Sequence, residues 1–442
     1  MTQQQGVTSQ QVFNMLMESQ YWPQEQMQAY QRSQLEQMLH HAKKNVPFYR
    51  TRIDCLFQQD GSINWERWGE VPILMRSDLE KEQVNMQASR PSPGHGYVFS
   101  ESTSGTTGTP ISVSHTSLEI SIIEANDYRA FEWHGLDYDR NRLRWFGNNM
   151  SVDVYPAGGD TGPWGPPWNS PPGRGRSLSL NRGVPAEDVV RFMRDNDVTY
   201  LAARPEAAQS LANAAQRLGI SHPLHKILSF SATLTLGQRE DCREAFGAGF
   251  VALYSSKEGT RMAYSCPHSD KYHVHAESVL VEILDERNLP VRPGEAGKVV
   301  ITPFFNSAQP LIRYDHGDIA VRGEHCGCGR HLPVIDSISG RAFHMFKFPD
   351  GKLVAPWVPH IERRLLGTSN IQVAQTGPWD IEIRYVPNAA PSEADKSAFL
   401  ALAQKAIHQM ASVKLVELSV LPLSPSGKFL EYVREWRPEE RN

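Results

Sequence analysis

The sequence has few cysteines, almost no excess of charge of one sign and no long apolar run. Five cysteines in 442 residues is an odd and sparse count, which argues against a disulfide framework and leaves metal binding or burial as their use. The formal net charge is only -4, so we expect neither a nucleic-acid partner nor a membrane surface. No apolar run reaches the roughly 20 residues of a membrane helix. The first residues, Met1 to Gln5, are polar and lack the apolar core of a signal peptide, so a cytoplasmic protein is expected.

The hydrophobic pattern predicts an α/β fold. Apolar residues at helical spacing predict an amphipathic, structural helix that ends before Pro47. Between about residues 189 and 254, helical segments alternate with short apolar segments, which is typical of a parallel sheet with helices on its faces. The segments predicted there are, after a first helix, a strand at Val198–Ala202, a helix closed by Gly219, a strand at Lys226–Phe230, a helix at about Leu236–Phe246 and a strand at Phe250–Tyr254.

Length alone suggests two or three structural units. Alternating strands continue to about residue 340, and the rest of the chain has the strands and helix of a small α+β unit. We predict an N-terminal domain over residues 1–340 and a C-terminal domain over residues 341–442. Residues 158–175 are rich in glycine and proline and carry Trp164 and Trp168, which predicts an irregular loop that is a lid, an interface or a surface excursion.

A segment rich in hydroxyl side chains and glycine, STSGTTGTP, lies at residues 102–110. Hydroxyl groups donate to phosphoryl oxygens, and Gly105 and Gly108 let the backbone turn so that several N–H groups point at one anion. A flexible polar linker has the same composition, so composition alone leaves both interpretations open. The lysine of a Walker motif is absent, which disfavours a P-loop kinase.

This segment resembles the phosphate-binding loop of the adenylate-forming superfamily, which includes acyl-CoA synthetases and adenylation domains. Four further segments match motifs of that family in the same order, namely Tyr254–Gly259, Tyr314–Asp318, Gly340–Arg341 and Ser424–Lys428. Residues 42–50 and 326–330 resemble the phenylacetate-CoA ligase branch with its capsule-gene and cofactor-adenylating relatives. The resemblance spans nearly the whole chain, and it implies a small C-terminal domain that rotates against a large N-terminal one.

The resemblance also implies a role for each motif in binding ATP. The nucleotide-binding residues that it implies are Ser104, Gly105, Thr106, Thr107, Gly108, Tyr254, Ser255, Asp318 and Arg341. The first five would hold the β- and γ-phosphates, and Asp318 would accept hydrogen bonds from the ribose. Ser256 would contact the α-phosphate, and Glu258 would bind Mg²⁺, which prefers carboxylate and phosphate oxygens. Lys428 would bridge the attacking carboxylate and the α-phosphate as a point charge.

The activity that the resemblance implies is ATP-dependent, AMP-forming activation of a small or aromatic carboxylic acid, with acyl transfer to CoA. In one alternative the acceptor is an amine, a carrier-protein thiol or another nucleophile. In another the chain is a non-catalytic nucleotide-binding scaffold. The family usually has an acidic residue where Phe343 follows the Gly-Arg motif, and this departure at the hinge would alter the second half-reaction. A homodimer is possible, and the sequence leaves the identity of the acid open.

Two segments carry side chains that bind metals. Cys266, His268, His273 and His275 lie within ten residues, and Cys326 and Cys328 form a Cys-x-Cys turn. Three thiolates and one imidazole make a closed tetrahedral zinc site. The spacing of Cys266 and His273 also resembles that of relatives in the phenylacetate-CoA ligase branch. We predict a structural zinc at Cys266, His273, Cys326 and Cys328, with His268 or His275 as alternatives for the imidazole. The competing interpretation is reduced, buried thiols and surface histidines.

Overall fold

The computed structural model describes residues 7–102, 111–147, 149, 151–169, 175–232, 234–341, 346–350, 353–354, 365–368, 371–387, 390–423 and 429–436. The helices in these ranges are α1 (Ser9–Ser19), α2 (Gln24–Asn45), α3 (Tyr49–Arg52), α4 (Arg76–Lys81), α5 (Ser117–Trp133), α6 (Ala186–Asp195), α7 (Pro205–Leu218), α8 (Leu236–Phe246) and α9 (Glu393–Ile407). The strands are β1 (Val98–Ser102), β2 (Ser112–Thr116), β3 (Asn141–Gly147), β4 (Gly159–Pro163), β5 (Arg176–Asn181), β6 (Val198–Ala203), β7 (Lys226–Ser229), β8 (Gly249–Ser256), β9 (Thr260–Ser265), β10 (Tyr272–Val274), β11 (Val279–Leu284), β12 (Ala296–Pro303), β13 (Tyr314–Arg322), β14 (Val334–Arg341), β15 (Phe346–Lys347), β16 (Leu353–Val354), β17 (Ile371–Gln375), β18 (Asp380–Tyr385), β19 (Ser412–Glu417) and β20 (Tyr432–Arg434).

The chain divides into two compact units. The first comprises Met1–Arg140, Gly162–Arg176 and Val251–Ile338, and the second comprises Asn141–Thr161, Ser177–Phe250 and Ser339–Asn442. The division into domains at residue 340 stays a prediction. No helix among the described residues is both long enough and apolar enough to cross a membrane.

An antiparallel sheet forms the centre of the first unit. Its strands follow the order β11-β12-β13-β14-β10-β9-β8, and the pairs β8/β9, β9/β10, β10/β14, β11/β12 and β12/β13 are antiparallel. The apolar core on this sheet includes Leu74, Val113, Met262 and Ile301. Val113 belongs to the β1–β2 hairpin, whose strands pair up to Ser102 and Ser112. The hairpin is therefore anchored in the core directly beside the ends of the hydroxyl-rich loop.

The second unit contains the parallel sheet predicted from the alternating pattern. Strands β5, β3, β6 and β7 lie side by side and run parallel, and α6, α7 and α8 bury their apolar faces in the same core. Helix α7 begins with Pro205 and ends at Gly219, which has a φ of 62° that glycine adopts without strain. Helix α8 begins at Thr235, whose side chain and that of Gln238 cap the helix reciprocally.

The C-terminal part of the second unit has its own sheet and core. The sheet order is β19-β18-β17-β20, with an antiparallel central pair and parallel outer pairs. Helix α9 contributes Phe399 and Ala403 to a core with Ile371 and Ile381. Ser392 caps the start of α9 by accepting from the backbone N–H of Asp395.

The predicted α/β fold is confirmed, and one local prediction is wrong. We expected no regular structure within residues 158–175, but Gly159–Pro163 form β4, which pairs with β5. Thr161 Oγ1 donates to the backbone carbonyl of Ser177 over 3.2 Å in the same pairing. Glycine and proline are depleted in strands, so the composition did not predict this strand, which forms because it pairs with β5.

Candidate functional site

Glu258 lies in the tight turn that joins β8 to β9. Across this turn Ser256 pairs with Thr260, and the backbone N–H of Gly259 donates to Oγ of Ser256 over 2.9 Å. Thr260 has a φ of 54°, a left-handed conformation that a β-branched residue rarely adopts. Such strain persists only where the surrounding structure fixes the backbone, and it is common at functional sites. The turn that carries Glu258 is therefore held in one conformation.

The packing around Gly259 leaves no room for a side chain. A Cβ atom there would lie 2.6 Å from Sδ of Met262 and 2.8 Å from Cδ1 of Ile301. Both neighbours belong to the buried core of the first unit, and a close-packed core does not open to admit an extra methyl group without cost. The turn therefore lies directly against the core.

Glu258 is a buried acidic residue. The residue is only 3% exposed. A buried carboxylate without a counter-charge is costly. A hard divalent cation that also contacts phosphate oxygens would remove that cost, and magnesium prefers this kind of site. Glu258 therefore fits the predicted role of a Mg²⁺ ligand.

An ion pair connects the Glu258 turn to the strand that leads into the hydroxyl-rich loop. Lys257 Nζ lies 2.7 Å from Oε2 of Glu101, the penultimate residue of β1. Both side chains are more than two-fifths exposed, so the pair contributes at most about 1 kcal/mol. The contact between Lys257 and Glu101 nevertheless shows that the end of β1 lies beside the turn that carries Glu258.

Tyr254, His316 and Asp318 form a buried polar cluster on strands β8 and β13. The hydroxyl of Tyr254 donates to Oδ2 of Asp318 over 2.9 Å, and Nδ1 of His316 lies 2.7 Å from the same oxygen. The Tyr254 hydroxyl and Nδ1 of His316 are 3.1 Å apart. All three residues are less than 9% exposed. The cluster holds the carboxylate of Asp318 in one orientation near the end of β8.

Strand β13 is irregular at the residues that contribute to this cluster. Asp315 pairs with Val300 and Ile319 pairs with Lys298, so three residues of β13 lie opposite one residue of β12. The backbone N–H of Gly317 donates to Oδ1 of Asp315 over 2.8 Å, and Gly317 has a φ of 78°. Bulges of this kind often re-aim side chains next to active sites.

The remaining predicted nucleotide contacts are only partly described. Ser255 is half-buried on β8, directly before Ser256. The loop residues Ser104, Gly105, Thr106, Thr107 and Gly108, as well as Lys428, lie outside the described residues. Arg341 ends β14, and its side chain also lies outside what is described. Their predicted roles stay predictions.

The side chains of Cys266, His273, Cys326 and Cys328 converge in the first unit. Their ligand atoms all lie within 4.8 Å of one another, with Cys266 Sγ 3.3 Å from Cys326 Sγ and Cys328 Sγ 3.2 Å from Nε2 of His273. In a tetrahedral site with Zn–S bonds of about 2.3 Å, two sulfur atoms lie about 3.8 Å apart. The cluster therefore has the size and the donor set of a closed zinc site, and no disulfide joins its cysteines.

The pKa shifts of His273 and Cys328 favour the forms that bind a metal, whereas that of Cys266 favours the neutral thiol. Burial, with repulsion from Arg330 and Arg129, lowers the pKa of His273 to about 4, so its imidazole is neutral near pH 7. Burial raises the pKa of Cys266 to about 11. Burial acts to raise the pKa of Cys328 as well, but hydrogen bonds from Arg330 and Cys326 outweigh it and the net shift is downward. Neutral imidazole and thiolate are the forms that bind zinc.

The other two histidines that the sequence offered lie apart from this cluster of ligands. His268 is exposed, and only its backbone N–H approaches the cluster, donating to Sγ of Cys266 over 3.4 Å. His275 is fully buried, with its ring 5.6 Å from that of Tyr264. Among the described residues, His273 is the histidine whose ring nitrogen joins the three thiols.

Motif comparison missed His316, because it treats that position of the Tyr-x-x-Gly-Asp segment as unspecified. His316 lies two residues before Asp318, and side chains two apart on a strand share a face. That spacing is the signal that would have found it.

No family model matches the chain. Its sequence is 25% identical over 333 residues to a phenylacetate-coenzyme A ligase of Thermus thermophilus, covering 73% of this chain and 72% of the relative. It is 26% identical over 331 residues to a phenylacetate-coenzyme A ligase of Pseudomonas putida, covering 72% and 71%. In fold it is similar to a 2-hydroxyisobutyryl-CoA ligase solved in the postadenylation state with an acyl-AMP, with a TM-score of 0.72, 20% identity and coverage of 94% of this chain and 92% of that one.

These similarities agree with the ordered motifs and with the site. The solved structure, at this identity, establishes the fold, and the sequence relatives lie in the branch that the motifs indicated. The roles of Glu258, Tyr254 and Asp318 in nucleotide binding stay predictions. In sequence the chain is similar to phenylacetate-CoA ligases, and its fold is similar to that of a CoA ligase solved with an acyl-AMP.

Proposed function

We propose that the protein activates a carboxylic acid with ATP and transfers the acyl group to CoA. In the first half-reaction a carboxylate oxygen attacks the α-phosphorus of ATP, and pyrophosphate leaves. In the second, the CoA thiol loses its proton and its sulfur attacks the acyl carbonyl carbon, and AMP leaves. The observation that carries this proposal is the buried Glu258 on a strained turn, a few residues after Tyr254, which contacts Asp318.

The chain's own residues have separable tasks in this reaction. Asp318 accepts hydrogen bonds from the ribose, and Ser256 donates its hydroxyl proton toward the α-phosphate while its oxygen accepts from Gly259. Glu258 holds Mg²⁺, which when bound neutralises charge on the phosphates. Lys428 supplies a positive charge at the reacting centre, where preorganised charge lowers the barrier most.

The Cys266, His273, Cys326 and Cys328 cluster holds a structural zinc in this proposal. Four protein ligands leave no open position for substrate or water, unlike a catalytic zinc. The reaction itself needs no zinc, because acid activation proceeds at the phosphorus. The metal would instead fix the connection between β14 and the preceding segment, since Cys326 and Cys328 lie just before that strand.

The test is exchange of labelled pyrophosphate into ATP, measured over a panel of acids. The panel includes phenylacetate and 2-hydroxyisobutyrate, the acids named for its relatives and its structural neighbour. We expect exchange that depends on one class of acid, and product formation that depends on CoA. Glu258→Gln should lose exchange, whereas Glu286→Gln, a change at an exposed glutamate of the same unit, should retain it.

Two outcomes would redirect the proposal. Exchange without a CoA product, but with a product when an amine or a carrier thiol is supplied, would assign another acyl acceptor. ATP binding without exchange for any acid would make the chain a nucleotide-binding scaffold.

A further inference from the structure

We propose that His316 is a positioning residue that orients the Asp318 carboxylate for the ribose of ATP, acting together with the hydroxyl of Tyr254. The inference rests on the proposed function and assigns a new residue to it. The geometry that carries it is a compact triad: the Tyr254 hydroxyl donates to Oδ2 of Asp318, and Nδ1 of His316 contacts both the Tyr254 oxygen and Oδ2.

The proton positions follow from the chemistry of the groups. An ionised carboxylate only accepts hydrogen bonds. The Tyr254 hydroxyl donates to Oδ2 over 2.9 Å. Because that proton is used, Nδ1 of His316 must carry a proton and donate it to the Tyr254 oxygen over 3.1 Å, while Nδ1 itself lies 2.7 Å from Oδ2. The hydrogen bond from Tyr254 on β8 and the close contact of His316 on β13 together fix the position of the carboxylate.

The setting makes this orientation rigid. His316, Asp318 and Tyr254 are 3%, 6% and 8% exposed. The ring of His316 meets that of Tyr254 edge-on, with centroids 5.6 Å apart. His316 also occupies the bulge that Asp315 and Gly317 stabilise, so its backbone is fixed as well. A carboxylate held in this way binds a pair of sugar hydroxyls without losing further side-chain entropy, which is the benefit of preorganisation.

The consequence is a specific discrimination between nucleotides. If Asp318 is oriented toward the ribose, ATP binds more tightly than its 2′,3′-dideoxy analogue, which lacks both hydroxyls. Charge-assisted hydrogen bonds of this kind are worth roughly 1.5 to 3 kcal/mol, or about 10- to 150-fold in affinity. Releasing the carboxylate from His316 should reduce the affinity for ATP by about tenfold and leave the affinity for the dideoxy analogue unchanged.

The experiment measures the dissociation constants of both nucleotides for the full chain by calorimetry, together with the KM for ATP and the kcat of pyrophosphate exchange. His316→Ala should lose discrimination and raise the KM for ATP, with little change in kcat at saturating ATP. His316→Asn, which keeps a donor N–H near the position of Nδ1, should restore most of the discrimination. His225→Ala is the matched control, because it removes another histidine that lies beside a tyrosine hydroxyl, that of Tyr200, 3.0 Å away.

Each outcome decides the matter. If wild type discriminates and His316→Ala discriminates equally, His316 does not position Asp318. If His316→Ala fails to fold, Tyr254→Phe decides, because it removes the other donor without leaving a large cavity; unchanged discrimination in that variant overturns the inference. Wild type that exchanges pyrophosphate but binds both nucleotides equally overturns the inference and leaves the proposed function standing. Wild type that binds neither nucleotide overturns both.

Discussion

Removing two thiols from the cysteine cluster tests the zinc proposal most directly. The double substitution Cys326→Ser and Cys328→Ser leaves Cys266 and His273, which are too few ligands for a closed tetrahedral site. We expect about one zinc per chain in wild type purified without chelator and almost none in the variant. Elemental analysis of protein at known concentration measures this directly.

The expected loss of stability follows from linkage. A ligand that binds only the folded state at a free concentration a thousandfold above its dissociation constant stabilises that state by about 4 kcal/mol. The cluster brings β10, which carries His273, together with the Cys326–Cys328 turn, and an unfolded chain would hold no such arrangement. The variant should therefore unfold at a lower denaturant concentration, with the loss on the order of 4 kcal/mol confined to the transition of the first unit.

A chelator separates loss of metal from damage by the substitutions. Wild type treated with chelator should fall to the stability of the variant and recover when zinc is returned, whereas the variant should respond to neither treatment. Cys55→Ser is the control, since Cys55 is a half-buried thiol outside the cluster. Absence of zinc from wild type, together with an unfolding midpoint that chelator does not change, would refute the reasoning.

Three further predictions concern charge. Lys428→Ala should reduce pyrophosphate exchange by about a hundredfold or more while leaving unfolding unchanged, because it removes one preorganised charge. The control is Lys405→Ala, a change at an exposed residue of α9. Exchange at the wild-type rate in Lys428→Ala would contradict the assignment. Glu258→Gln should raise the magnesium concentration needed for half-maximal exchange, and an unchanged magnesium titration would remove Glu258 from the site. Burial lowers the pKa of His95 below its unfolded value of about 6.5, so the stabilisation from its neutral form is complete above that pH and is lost as the pH falls. Urea midpoints measured at about pH 7.5 and 5.5 should therefore differ less in His95→Gln than in wild type.

The sequence predicted elements well where local signals and tertiary contacts agree. Helix α7 is an example, since Gly219 ends it in the structure as the pattern indicated. Strand β4 was missed because its glycines and proline do not favour a strand, and only pairing with β5 creates it. Local sequence propensity cannot predict a strand that forms only because it pairs with another strand.

The same distinction holds within the site. The motif match proposed Asp318 as a candidate, but the orientation of its carboxylate depends on Tyr254, which is 64 residues away in sequence. The bulge that presents His316 arises from the register between β12 and β13, which no spacing within one segment determines. The sequence could propose candidate residues, whereas the contacts that orient them could not be predicted from it.

The turn at Glu258 explains in physical terms why its motif has the residues it does. A glycine suits position 259 because a Cβ there would force the ends of the Met262 and Ile301 side chains to shift. A hydroxyl is required at Ser256 because its oxygen must accept from the Gly259 N–H, and an oxygen that accepts one hydrogen bond keeps its own proton to donate. The contact that closes the turn thus leaves the Ser256 proton available for the phosphate of the proposed reaction. Serine and threonine both meet these two conditions, which is why the family motif admits either residue there, and alanine meets neither.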